Sequence, residues 1–164
     1  MKITKFKSIL VILISSFVLQ FCSETDNDPE EFIADASDFF NFMNFNLEAT
    51  NIGADPALGT AHAGNDSTVT RKVYIKNGQN TVNGSYPLGT IIVKHSKKDD
   101  NTVHEITAMV KRGNDFNSDV GNWEWFMLNP ADNSIVVRGG KEMMNGMCNA
   151  CHSAASAKDY VFSN

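Results

Sequence analysis

Near the end of the chain stand Cys148-Asn149-Ala150-Cys151-His152, two thiols two residues apart with an imidazole directly after the second. Thiols at this spacing can add across the two vinyl groups of one porphyrin. A histidine next to the second thiol then lies under the iron and serves as its proximal ligand. Two other chemistries use paired thiols. A thioredoxin-like dithiol follows a strand early in a βαβ unit, whereas this pair sits close to the C-terminus. A zinc ribbon needs a second C-x-x-C, and the only other cysteine is Cys22. The motif therefore points to one covalently bound haem c, attached through Cys148 and Cys151 and ligated by His152.

The opposite end reads as an export signal. Lys2, Lys5 and Lys7 form a basic n-region, and residues 9–18 are apolar apart from Ser15 and Ser16. The apolar run falls short of the ~20 residues of a transmembrane helix. It ends at Leu19-Gln20-Phe21-Cys22, which resembles a bacterial lipobox, although a small residue is usual where Phe21 stands. Residues 1–22 are thus expected to be a lipoprotein-like signal peptide, with Cys22 lipidated as a membrane tether. The alternative is ordinary cleavage nearby that leaves Cys22 free or removed. Residues 23–31 (SETDNDPEE) read as an acidic tether. Export to the periplasm or to a membrane anchor also suits c-type haems, which are attached outside the cytoplasm.

Composition limits the partners. The leader takes three of the 14 basic residues and none of the 19 acidic ones. The remaining chain is strongly acidic, which argues against nucleic acid or an anionic membrane surface. About 140 residues remain, enough for one domain with a real core.

Other side chains could reach an iron. His62, His95 and His104 are candidate sixth ligands, although a lone histidine is more often a surface or hydrogen-bonded residue. Met143, Met144 and Met147 could ligate as thioethers. They lie so close to His152 in the chain that core packing suits them better.

The elements that must position these groups follow from periodicity. Residues 29–47 predict a helix, with Asp28 as N-cap, Pro29 at N1, and Glu30 and Glu31 at the positive end of the dipole. Phe32, Ile33, Ala36, Phe39, Phe40, Met43 and Leu47 recur at helical spacing on one face, with Phe42 and Phe45 off it. Residues 51–66 are rich in Gly, Pro, Asn and Asp and read as loop. The period then changes to two. Strands are expected over residues 68–76, 90–95, 102–112, 121–128 and 134–138, with Asn77-Gly78, residues 97–101 and residues 129–133 as turns. Hairpin-length connections imply an antiparallel sheet of about five strands. With helical segments before and after it, the class is α+β. Residues 141–152 are expected to form a short helix or turn that presents the C-x-x-C-H.

Several blocks, in order, resemble the cytochrome P-460 and cytochrome c′-β superfamily. Arg71-Lys72-Val73-Tyr74-Ile75 resembles its R-x-V-Y strand. Tyr86-Pro87-Leu88-Gly89-Thr90-Ile91-Ile92-Val93-Lys94 resembles its aromatic-P-x-G-T block running to V-K. Met109-Val110-Lys111-Arg112-Gly113 and Gly121-Asn122-Trp123-Glu124-Trp125 resemble the next two strands. The C-x-x-C-H is followed by Lys158-Asp159-Tyr160-Val161-Phe162, similar to the family's closing D-x-V-F. The resemblance covers about residues 60–162 and sets the haem domain at residues 32–164. It implies an antiparallel sheet with flanking helices, a five-coordinate haem c, a redox partner and a homodimer.

Two activities live on that scaffold. Cytochromes c′-β bind nitric oxide and carbon monoxide at an apolar distal face. Cytochrome P-460 enzymes oxidise hydroxylamine and carry a lysine cross-linked to the porphyrin. A third class, the simple electron carrier, has its iron capped on both sides. The cross-linking lysine corresponds to Lys94, which would otherwise be a strand-end lysine reaching for water. A distal carboxylate corresponds to Glu142, otherwise a solvated residue in a helical first turn. The expectation leans to the nitric-oxide-binding form, with hydroxylamine oxidation as the alternative. On a strand, Ile92 and Lys94 share a face opposite Ile91, Val93 and His95. The resemblance turns the lysine face toward the haem.

Overall fold

The computed structural model describes residues 30–162. The leader, Cys22 and the tether up to residue 29 lie outside the described residues. The core is a six-stranded antiparallel sheet in sequential order: β1 Asn46–Ile52, β2 Thr70–Ile75, β3 Ile91–Lys97, β4 His104–Lys111, β5 Trp123–Leu128 and β6 Ile135–Gly139. Short turns join β3 to β4 and β5 to β6, longer loops join the other neighbours, and each strand pairs antiparallel with the one before it. The class is α+β with β dominant, as the change of period predicts.

Alternation along the strands gives the sheet two apolar faces. On one, Tyr74, Val93, Ile106, Val110 and Phe126 pack beneath Ala34, Phe39 and Phe42. On the other, Val73, Ile92, Met109, Trp123 and Trp125 pack against Val120, Met143 and Val161. The chain before β1 covers the first face and the chain after β6 covers the second.

The helix expected over residues 29–47 is not formed across its described part. That stretch holds two single 3-10 turns, Ala36–Asp38 and Phe42–Asn44, and then enters β1. Asp35 caps the first turn, in a capping box with Asp38; the expected cap Asp28 lies outside the described residues. The helical stripe predicted burial for Ile33, Phe40, Met43 and Leu47, yet all four are exposed. The aromatic anchors decide the local path. Phe39 meets Phe126 with ring centroids 5.1 Å apart, and Phe42 meets Tyr74 edge-on at 5.6 Å. An i, i+3 pair is eclipsed in a 3-10 turn, so two tight turns present both rings to one sheet face. β1 itself is polar and mostly exposed, which leaves no period-two signal. Its pairing with β2, from Asn46↔Ile75 to Ile52↔Thr70, supplies what its composition lacks.

After β6 the chain folds back under the second face. A left-handed Gly146 (φ 80°) leads into α1, Met147–His152, and a 3-10 turn follows over Ser153–Lys158. Asn149, in the middle of the C-x-x-C-H, is buried. Its Oδ1 accepts from Trp125 Nε1 at 2.8 Å and from Asn117 Nδ2 at 3.0 Å, and its Nδ2 donates to Asn117 Oδ1 at 2.8 Å. Both spacer residues are free to vary for thioether chemistry, but this one is spent on docking the motif against β5.

A second tie closes the segment. Lys111 Nζ lies 2.7 Å and 2.8 Å from the two carboxylate oxygens of Asp159, both residues being buried. Asp159 also accepts from the Tyr86 backbone N–H at 2.7 Å, and its carbonyl accepts from Trp123 Nε1 at 2.8 Å. A side chain at Gly121 would have its Cβ 2.8 Å from Asp159 Oδ1, and φ there is +65°. Only glycine fits both demands.

Candidate functional site

The segment after β6 does not lie flush on the sheet. Between them is a cavity of about 550 Å³, within the range of cofactor sites. Cys148, Cys151 and His152 line it from α1, and Val73, Ile92, Lys94, Thr107, Met109 and Trp125 line it from the sheet. Ile92 and Lys94 thus face inward as expected.

The three motif residues fit a porphyrin. His152 Nδ1 lies 2.7 Å from the carbonyl oxygen of Tyr160. A carbonyl can only accept, so Nδ1 carries the proton and Nε2 keeps its lone pair for a metal. Burial lowers the pKa of this imidazole to about 4, which keeps it neutral. Its ring meets Trp125 at a tilt, 4.5 Å between centroids, and Phe162 edge-on at 5.3 Å. Cys148 and Cys151 are unpaired thiols one helical turn apart, and burial pushes the Cys148 thiol up. Among the described residues His, Cys, Asp and Glu nowhere gather in groups of three or more that could hold a metal ion.

Lys94 brings an amine to the same cavity. Burial and the nearby Arg71 guanidinium hold its pKa below the ordinary lysine value. The neutral amine is the nucleophilic form, so this environment increases its reactivity.

A carboxylate also reaches the cavity, but it is not Glu142. Glu142 is exposed and absent from the lining. Glu105, at the start of β4, is the lining carboxylate, and its Oε1 lies 2.9 Å from His62 Nδ1. His62 lines the cavity too, from the loop between β1 and β2. The sequence carried a signal for Glu105. It pairs across β3–β4 with Ser96, while Lys94 pairs with Thr107, so Lys94 and Glu105 share a face. That registry needs the hairpin loop to be placed to the residue.

The other candidates separate by face. His95 and His104 lie on the far side of the sheet, 5.1 Å apart between ring centroids, with Phe42 5.7 Å from His95. They do not line the cavity. Met143, Met144 and Met147 do line it, on the His152 side as chain proximity dictates.

The model of the family Cytochrome P460 matches residues 55–163. No curated protein and no solved structure matches the chain. The match spans the loop bearing His62, strands β2 to β6 and the C-x-x-C-H segment, so the chain belongs to the cytochrome P460 family of haem proteins.

Proposed function

We propose that this protein is an exported cytochrome with one covalently bound haem c, acting as an oxidoreductase on hydroxylamine or a comparably small protic nitrogen compound. The observation that carries this reading is the meeting of three groups in one cavity: the C-x-x-C-H, the Lys94 amine and the Glu105 carboxylate. Cys148 and Cys151 would hold the group as thioethers, and His152 Nε2 would ligate its iron. When bound, the haem supplies the redox centre, and an external redox protein takes the electrons. Lys94 would stand beside the porphyrin as the amine that the resemblance assigns to a cross-link. Glu105 accepts protons released as the substrate is oxidised. The apolar walls at Val73, Ile92 and Met109 exclude water from the substrate. Lipidation at Cys22 would tether the domain on the periplasmic side.

The same apolar walls favour a second reading, in which nitric oxide binds without turnover. The ferrous optical spectrum of the purified mature protein separates the two. A Soret band far to the red that returns to an ordinary position in Lys94→Ala, together with hydroxylamine-dependent reduction of an electron acceptor, supports the enzyme. An ordinary Soret band in the parent protein, with nitric oxide binding and no turnover, supports the ligand-binding form. Haem extracted by acidic acetone from the parent protein would overturn thioether attachment in either case.

A further inference from the structure

The carboxylate of Glu105 does not stand alone in the cavity. It is paired with His62, a residue whose position the fold goes to some length to secure. His62 has φ 50° and ψ 35°, and Ala63 beside it has φ 53°. Two consecutive non-glycine residues in the left-handed region persist only where the surroundings hold them. Here they are held from several sides. Ser96 Oγ donates to the His62 carbonyl at 3.3 Å. The guanidinium of buried Arg71 donates to the Ala63 carbonyl at 3.1 Å and to the Gly53 carbonyl. The Asp55 N–H donates to the Gly64 carbonyl at 2.7 Å. The loop is thereby fixed with an imidazole on the cavity wall, built from a different part of the chain than the α1 wall bearing His152.

The hydrogen bonds of the ring define its chemistry. Nδ1 faces Glu105 Oε1 at 2.9 Å and Thr107 Oγ1 at 3.3 Å. A carboxylate at Nδ1 keeps the proton there and leaves Nε2 as the basic nitrogen. The carboxylate also holds the ring in that orientation. The other ionisable groups lining the cavity are Lys94, Cys148, Cys151 and His152. The two thiols and His152 are committed to the haem, and Lys94 to the porphyrin edge, in the reading above. We propose that His62 and Glu105 form a proton-accepting dyad, with His62 Nε2 taking the proton of a protic ligand as that ligand binds in the cavity. The inference rests on the haem reading but not on which nitrogen compound is turned over.

Hydrogen cyanide is a suitable probe, because it must give up its proton to bind as cyanide. Its association with the ferric holoprotein is followed at the Soret band, in the parent and in His62→Asn and Glu105→Gln. Asparagine tolerates the left-handed backbone, so the loop is retained, and haem content and melting temperature check this. Association should slow on the order of a hundredfold in His62→Asn, in keeping with the usual weight of a positioned base. Glu105→Gln keeps an acceptor for Nδ1 but removes the charge, and should slow association by less than His62→Asn does. Unchanged rates in both variants would overturn the dyad. So would a low-spin parent spectrum that becomes high-spin in His62→Asn with faster association, which would make His62 an iron ligand. Slowed cyanide association in a protein that does not turn over hydroxylamine would leave the dyad standing and remove only the enzymatic reading.

Discussion

The Nδ1 atom of His152 lies 2.7 Å from the carbonyl oxygen of Tyr160, and that carbonyl is fixed by the residue before it. Asp159 and Tyr160 both have left-handed φ, 51° and 65°. The Lys111–Asp159 ion pair holds them there from β4. A sheet residue thus sets the orientation of the imidazole through two backbone units.

Breaking this clasp should affect both stability and the haem. Asp159→Asn leaves the Lys111 ammonium buried without its counter-charge. One-sided removal of a buried ion pair costs about 3–5 kcal/mol. Denaturant unfolding of the holoprotein should show a loss of that order. The iron–histidine stretching frequency should fall as the bond from Nδ1 to Tyr160 loosens, because that bond raises ligand basicity. A loss of stability with an unchanged stretching frequency would make the clasp purely structural.

Asn149 gives a second prediction. Asn149→Ala orphans Trp125 Nε1 and one amide donor of Asn117. Each buried unsatisfied group costs about 1–3 kcal/mol. The larger expected effect is on maturation, since the motif would no longer be docked beside Trp125. Haem content per polypeptide, measured by pyridine haemochrome, should drop well below that of the parent. Asn149→Asp should not rescue it, because a carboxylate cannot donate to Asn117 Oδ1.

His95 makes the protein sensitive to acid independently of the haem. Burial, then His104, Lys97 and Lys72, lower its pKa from 6.5 to about 4. Its Nε2 is buried without a hydrogen-bond partner. The unfolded chain therefore binds a proton more readily than the folded one, and stability falls as pH drops from about 6.5 to about 4. Allowing for its partial exposure, the loss is on the order of 2 kcal/mol. Unfolding free energies measured across this window should show it. His95→Leu should make the profile shallower there while leaving the ferric spectrum unchanged.

The two glutamates considered for proton transfer should separate cleanly. Glu142→Gln alters an exposed side chain, and hydroxylamine kinetics should stay within about twofold of the parent. Glu105→Gln alters the cavity wall, and kcat should fall on the order of a hundredfold. Equal effects of the two substitutions would return the acid–base role to Glu142.

The amino-acid sequence determined by itself whatever depends on neighbours in the chain. Two thiols and an imidazole within five residues are one chemical unit in any fold, so the candidate haem-attachment motif was legible. The strands after residue 68 were legible because period-two burial follows from the pleat alone, and the same alternation puts Ile92 and Lys94 on one face, which the family resemblance turned inward. Long-range packing decided the rest. The Phe-rich segment has helical spacing, yet Phe39 and Phe42 pack on the sheet against Phe126 and Tyr74, and the segment follows those contacts in tight turns. β1 is a strand because β2 offers it a ladder. The polar half of the cavity was hidden for the same reason. His62 comes from a loop, Glu105 from the start of a strand and Lys94 from the strand beside it. Their meeting depends on the β3–β4 register and on Arg71 fixing the loop over the sheet. Local periodicity carries none of that information, because hydrogen bonds between distant segments form only once the sheet exists to align them.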